Sequence, residues 1–270
     1  MATLRAPRLA AARTPGAILR ALLVFALTLA PFLLAGDVGA AARDATLFAG
    51  ASAALVVLFE YASRTPALVD FRDAKPLNRL RFAMVAGTLL ATMAFIRSTP
   101  GGGVREAGEA LGRLLGGWAS PVGMMAESLS RPSALGPDLL AQGAAAVALT
   151  SAAILSLLVS ALIWFGRWPG PAERFNRFTN LPTFDEADAA DAPPRLLRLG
   201  LQAIVMALAL PAALLALVAI AAWMIEADAL SRPLPLAWTV SIWAAASGAQ
   251  LIRGVALIKL SRVLAAADPA

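Results

Sequence analysis

E-Y-A-S-R-T-P-A-L-V-D-F-R-D-A-K-P-L-N-R-L-R-F, residues Glu60–Phe82, separates two apolar runs and carries five of the chain's 23 Lys and Arg residues. Basic residues resist translocation, so a short loop this rich in Arg and Lys stays on the cytoplasmic side and orients the segments around it. Working outward, apolar runs fall at residues 17–35 and 46–61 before this loop. Others follow at 82–96, 139–165, 199–225 and 236–252. The run at 82–96 is short for a bilayer core, and Arg81 and Arg97 bracket it where they can snorkel outward.

The charge pattern tests a six-span arrangement. Of the 23 Lys and Arg residues, 17 fall on the proposed cytoplasmic side, in both terminal regions and in loops 62–81 and 166–198. Both termini are then cytoplasmic. The first run has a second reading: Arg5, Arg8 and Arg13, an apolar stretch and Val38-Gly39-Ala40 also suit a cleavable signal peptide.

Composition agrees with a membrane protein. The 270 residues are 59% hydrophobic and 15% charged, against roughly 25% charged in soluble domains. Mean hydropathy is +0.73. The pI of about 11.1 would suggest nucleic acid in a soluble chain; here the cations sit in alternate loops, with attraction to anionic lipid as a by-product. The chain has neither Cys nor His. Disulfides, thiolate metal sites, His-ligated haem and zinc, and His-based acid–base catalysis are therefore excluded. No cofactor, metal site or nucleic-acid partner is expected.

The segment 97–138 carries a helical pattern. Val104, Ala107, Leu111, Leu114, Leu115 and Trp118 share one face, with Arg105, Glu106, Glu109 and Arg113 opposite, and Glu109 and Arg113 spaced to pair. An interfacial helix on the outer leaflet follows, held by packing because Gly108, Gly112, Gly116 and Gly117 weaken its propensity. The fold expected is thus all-α: a single polytopic membrane domain of six transmembrane helices with one outer amphipathic helix.

Other constellations are weak. Two inverted halves of three spans would suit a transporter, but any six-span chain divides so, and the halves share no similarity. E-A-G-E-A-L-G, residues 106–112, is similar to the coupling motif of ABC importer permeases, yet falls on the outer side and lacks the downstream residues. No membrane-protease signature occurs. Glu60 and Arg64 have the spacing of an ion pair at a helix end. Gln142 and Gln202 are side-chain amides well inside long runs, and would line any solute site.

The two cytoplasmic loops are more apolar than tethers need. Asp70, Phe71, Arg72, Asp73, Arg79 and Arg81 in the first, and Phe175, Asn176, Asn180, Phe184 and Asp185 in the second, are the expected partner-binding residues. The loops either pack on each other or form a docking face, or both. Within them, D-F-R-D-A-K-P-L-N-R-L-R-F (residues 70–82) and F-N-R-F-T-N-L-P-T-F-D (residues 175–185) resemble two motifs of a group of uncharacterised bacterial inner-membrane proteins. The resemblance implies an inner-membrane, multi-pass location and no particular activity. The function expected is non-catalytic: a scaffold, assembly factor or accessory subunit with the lipid bilayer and a membrane or cytoplasmic protein as partners. The alternative is a transport component for a small solute.

Overall fold

The computed structural model describes residues 6–36, 39–63, 69–72, 74–129, 138–169, 192–224 and 230–267. Eight helices of seven or more residues occur among them: α1 (Ala6–Ala35), α2 (Ala40–Ala62), α3 (Lys75–Arg97), α4 (Gly103–Leu115), α5 (Pro121–Leu129), α6 (Leu139–Phe165), α7 (Ala192–Met224) and α8 (Pro233–Ala267). No strand is present among the described residues. Six helices are long and apolar enough to cross a membrane: α1, α2, α3, α6, α7 and α8. The protein is a polytopic all-α membrane protein.

The third run is longer than its apolar core. Its helix begins at Lys75 and takes in Asn78, Arg79 and Arg81, so the spanning stretch Pro76–Arg97 has 22 residues. A helix of that length rises about 33 Å, enough for a bilayer core. α8 likewise runs on from Pro233 to Ala267, and α7 continues through Pro211.

The chain forms two compact units. One comprises Met1–Asn78 with Pro169–Ala190, the other Arg79–Trp168 with Asp191–Ala270. In the first, α1 and α2 pack antiparallel: Gly50 abuts Phe25 and Thr28, while Arg20 stacks on Tyr61 with its guanidinium carbon 4.5 Å from the ring centre. Arg20 also donates to the Gly16 carbonyl, one turn back toward the helix start.

In the second unit, small residues set the helix approach. A Cβ on Gly87 of α3 would lie 2.7 Å from Leu155 of α6, and Gly143 of α6 touches Phe95 of α3, so those helices are antiparallel. Gly248 of α8 faces Ser156 of α6, and Lys259 reaches Ile163, so α6 and α8 are parallel. α7 is antiparallel to α8. Gly200 and Gly254 bring the two backbones together, and the Trp243 indole donates to the Pro211 carbonyl at 2.8 Å. Apolar burial from lipid provides no driving force between such helices, so close backbone approach through glycine must supply the attraction. The starts of α3 and α7 and the ends of α6 and α8 therefore lie at one end of this unit.

α4 and α5 belong to the opposite end. Glycine, not the apolar face, carries the packing of α4: Gly108 lies on Phe95, and Gly112 sits against the Gly143 backbone. Val104, Leu114 and Trp118 are exposed, Trp118 to 91%. The amphipathic helix thus has three faces, with glycine inward and the apolar stripe free for lipid. Its ion pair differs from expectation, joining Arg105 to Glu109 at 2.7 Å in place of Glu109 with Arg113. Arg105 also stacks over Phe95. Sequence reading does not find α5. Ser120 caps it by accepting from Gly123 N–H at 2.9 Å, and Val122, Met125, Ala126 and Leu129 bury its inner face.

Candidate functional site

The described part of the loop between α2 and α3, residues 69–72 and 74, is bonded to both helices. α2 ends because Ser63 leaves helical geometry, at φ −63° and ψ 155°, leaving the last carbonyls of the helix unpaired. The Ser63 hydroxyl donates to the Glu60 carbonyl at 3.0 Å, and Arg72 Nη1 donates to the Ser63 carbonyl at 2.8 Å and to the Glu60 carbonyl at 3.2 Å. A cation here also complements the negative end of the helix dipole. Glu60 Oε1 in turn accepts from the Val69 N–H at 2.9 Å, fastening the returning strand of chain to α2.

A tight turn carries the chain on to α3. Ala74 N–H donates to the Phe71 carbonyl at 2.9 Å, and Phe71 adopts a left-handed φ of 61°. Asn78, in the first turn of α3, donates through Nδ2 to the Phe71 carbonyl at 2.8 Å and to the Arg72 carbonyl at 3.3 Å.

This geometry sorts the expected site residues. Phe71 and Arg72 are 0% and 2% exposed, so they form the interior of the loop. Arg72, expected to present its charge to a partner, is buried with its Nη1 bonded beneath the end of α2. Arg79 is exposed, whereas Asp70 and Arg81 are half-buried. Asp73, Phe175, Asn176, Asn180, Phe184 and Asp185 lie outside the described residues, as does Arg64. Sequence reading missed Asn78, whose partners lie six and seven residues back, and the inward role of Glu60.

The proposed solute-lining amides do not converge. Gln142 Nε2 donates to the Gly116 carbonyl at 3.1 Å and ties α6 to the end of α4, while Gln202 is exposed on α7. Four other buried hydroxyls in the second unit, of Thr88, Ser160, Ser241 and Ser247, have no hydrogen-bond partner among the described residues. No cluster of three or more metal-ligating side chains occurs among the described residues.

A cation also closes α6. Lys259 Nζ donates to the carbonyls of Ile163 and Gly166, both at 2.7 Å. One turn further along α8, Arg262 stacks over Trp164 at 4.6 Å. No family model, curated protein or solved structure matches this chain.

Proposed function

We propose that this chain is a non-catalytic scaffold or accessory subunit of the cytoplasmic membrane, with both termini cytoplasmic, that engages a protein partner beside the α2–α3 loop. The observation that carries this reading is the loop's construction. Connecting two successive helices needs only a few residues. Here Glu60, Arg72 and Asn78 instead fix a defined surface, with Arg79 exposed beside it. A fixed loop at the membrane surface loses little entropy on binding, which favours recognition.

The test reverses the exposed charge. Arg79→Glu should leave yield and unfolding temperature unchanged and release a partner retained by the native chain after mild solubilisation. An identical set of retained proteins in both preparations would sink the docking reading.

A transport component is the second reading, and the four unpartnered buried hydroxyls favour it, since unpaired donors inside a bundle are where a polar solute would gain most. Thr88→Val with Ser241→Ala should then abolish solute-dependent thermal stabilisation. Unchanged stabilisation in that variant removes this reading.

A further inference from the structure

The corner where α6 ends beside α8 combines three features that residues far apart in sequence bring together. Lys259 closes the last carbonyls of α6. Arg262 stacks on Trp164, and Arg167 follows the Gly166 cap, with both arginines exposed. In the last two turns of α6, Leu158, Leu162 and Phe165 share an exposed face, Phe165 to 86%. An apolar face therefore passes within two residues into a cationic rim with an aromatic ring at the boundary.

Among the described residues of the second unit, the charge at this end has one sign. At this end of the second unit the described charged residues include Arg79, Arg81, Arg167, Arg195, Arg198, Lys259 and Arg262. The described carboxylates of that unit, Glu106, Glu109, Glu127 and Asp138, all lie between α4 and the start of α6, on the segment that joins the helices at the opposite end.

We infer that this corner binds an anionic phospholipid. Its phosphate would sit between Arg167 and Arg262, and its acyl chains would lie along Leu158, Leu162 and Phe165. The occupant must be amphiphilic, because the apolar face and the cations are continuous. It must be anionic, because the two exposed charges that flank the end of α6 here, Arg167 and Arg262, are both cations. Lys259 is not counted among the phosphate donors, since two carbonyls hold it. Each cation near a charged bilayer surface contributes about a factor of five in affinity. The inference rests on membrane insertion and is independent of the docking reading above.

The experiment titrates the purified full-length chain in neutral detergent with phosphatidylglycerol or phosphatidylcholine, read by native mass spectrometry and thermal unfolding. Phosphatidylglycerol should bind more tightly and raise the unfolding temperature, and added salt should weaken both effects. Arg167→Gln with Arg262→Gln should weaken phosphatidylglycerol binding roughly 30-fold. Arg97→Gln with Arg113→Gln, in the outer segment, should leave it intact. Arg167→Lys with Arg262→Lys keeps both charges and should bind phosphatidylglycerol much as the native chain does, which separates charge from folding. Equal binding of the two lipids would overturn the proposal. So would native affinity in the Gln pair, equal loss from the outer pair, or an acidic protein that depends on Arg167 and Arg262 while lipid does not.

Discussion

Phe71 and Arg72 show how one dipeptide does two opposite things. A non-glycine residue in the left-handed region is strained by roughly 1–2 kcal/mol, while full burial of a Phe side chain contributes about 1.5–3 kcal/mol. Burial thus offsets the strain, and the turn survives with a large residue where glycine would be easier. Phe71→Ala keeps the strain and loses the burial, so it should destabilise by about 3–5 kcal/mol. Phe71→Gly relieves the strain and should be no less stable than Phe71→Ala, despite removing one more carbon. Thermal unfolding of the two variants in the same detergent decides this. Arg72→Ala strips the donor from the Ser63 carbonyl, while the Glu60 carbonyl keeps the Ser63 hydroxyl, and should lose about 2 kcal/mol, whereas the exposed Arg79→Ala should change stability by less than about 0.5 kcal/mol.

At the scale of the element, glycine position separates packing from mere permissiveness. Gly254 faces α7 so closely that a Cβ there would stand 2.8 Å from the Gly200 carbonyl oxygen; the reciprocal Cβ on Gly200 would stand 2.9 Å from that of Gly254. Gly103, at the start of α4, has nothing within 4 Å. Gly254→Ala should therefore push α7 and α8 apart at a cost of about 1–3 kcal/mol. Gly103→Ala should be neutral or slightly stabilising through helix propensity. Unfolding temperatures of the pair check both signs at once. α4 obeys the same logic: its apolar stripe was plain in the sequence. Which face met the protein was not, because Gly108 and Gly112 carry no hydrophobic signal and gain meaning only opposite Phe95 and Gly143.

For the whole molecule, helix directions within each unit alternate as a six-span chain requires. α1 opposes α2; α3 and α7 run against α6 and α8, respectively. Which end faces the cytoplasm rests on the distribution of Lys and Arg. Reporter fusions after Lys75 and Asp188 should accordingly score inside, and those after Gly103 and Arg131 outside. An outside score at Lys75 would invert every later span and remove the docking and orientation readings together. The lipid corner would survive, since it needs only a bilayer surface at that end.

The number of spans and their approximate places were determined by the sequence, because hydropathy and helix length are local properties that a bilayer reads directly. So were the amphipathic stripe of α4 and the excess of cations in alternate loops. Tertiary structure alone decided what the individual polar residues do. Arg72 and Lys259 look like two more orienting charges, yet each closes the carbonyl end of a helix. Glu60 has the spacing to pair with Arg64, and nothing in that spacing shows that its carboxylate holds a backbone N–H nine residues on. Gln142 looks like a solute ligand, yet it ties α6 to the end of α4. In every case the partner is a backbone group, which all residues share, so no sequence pattern can name it until folding brings the two together.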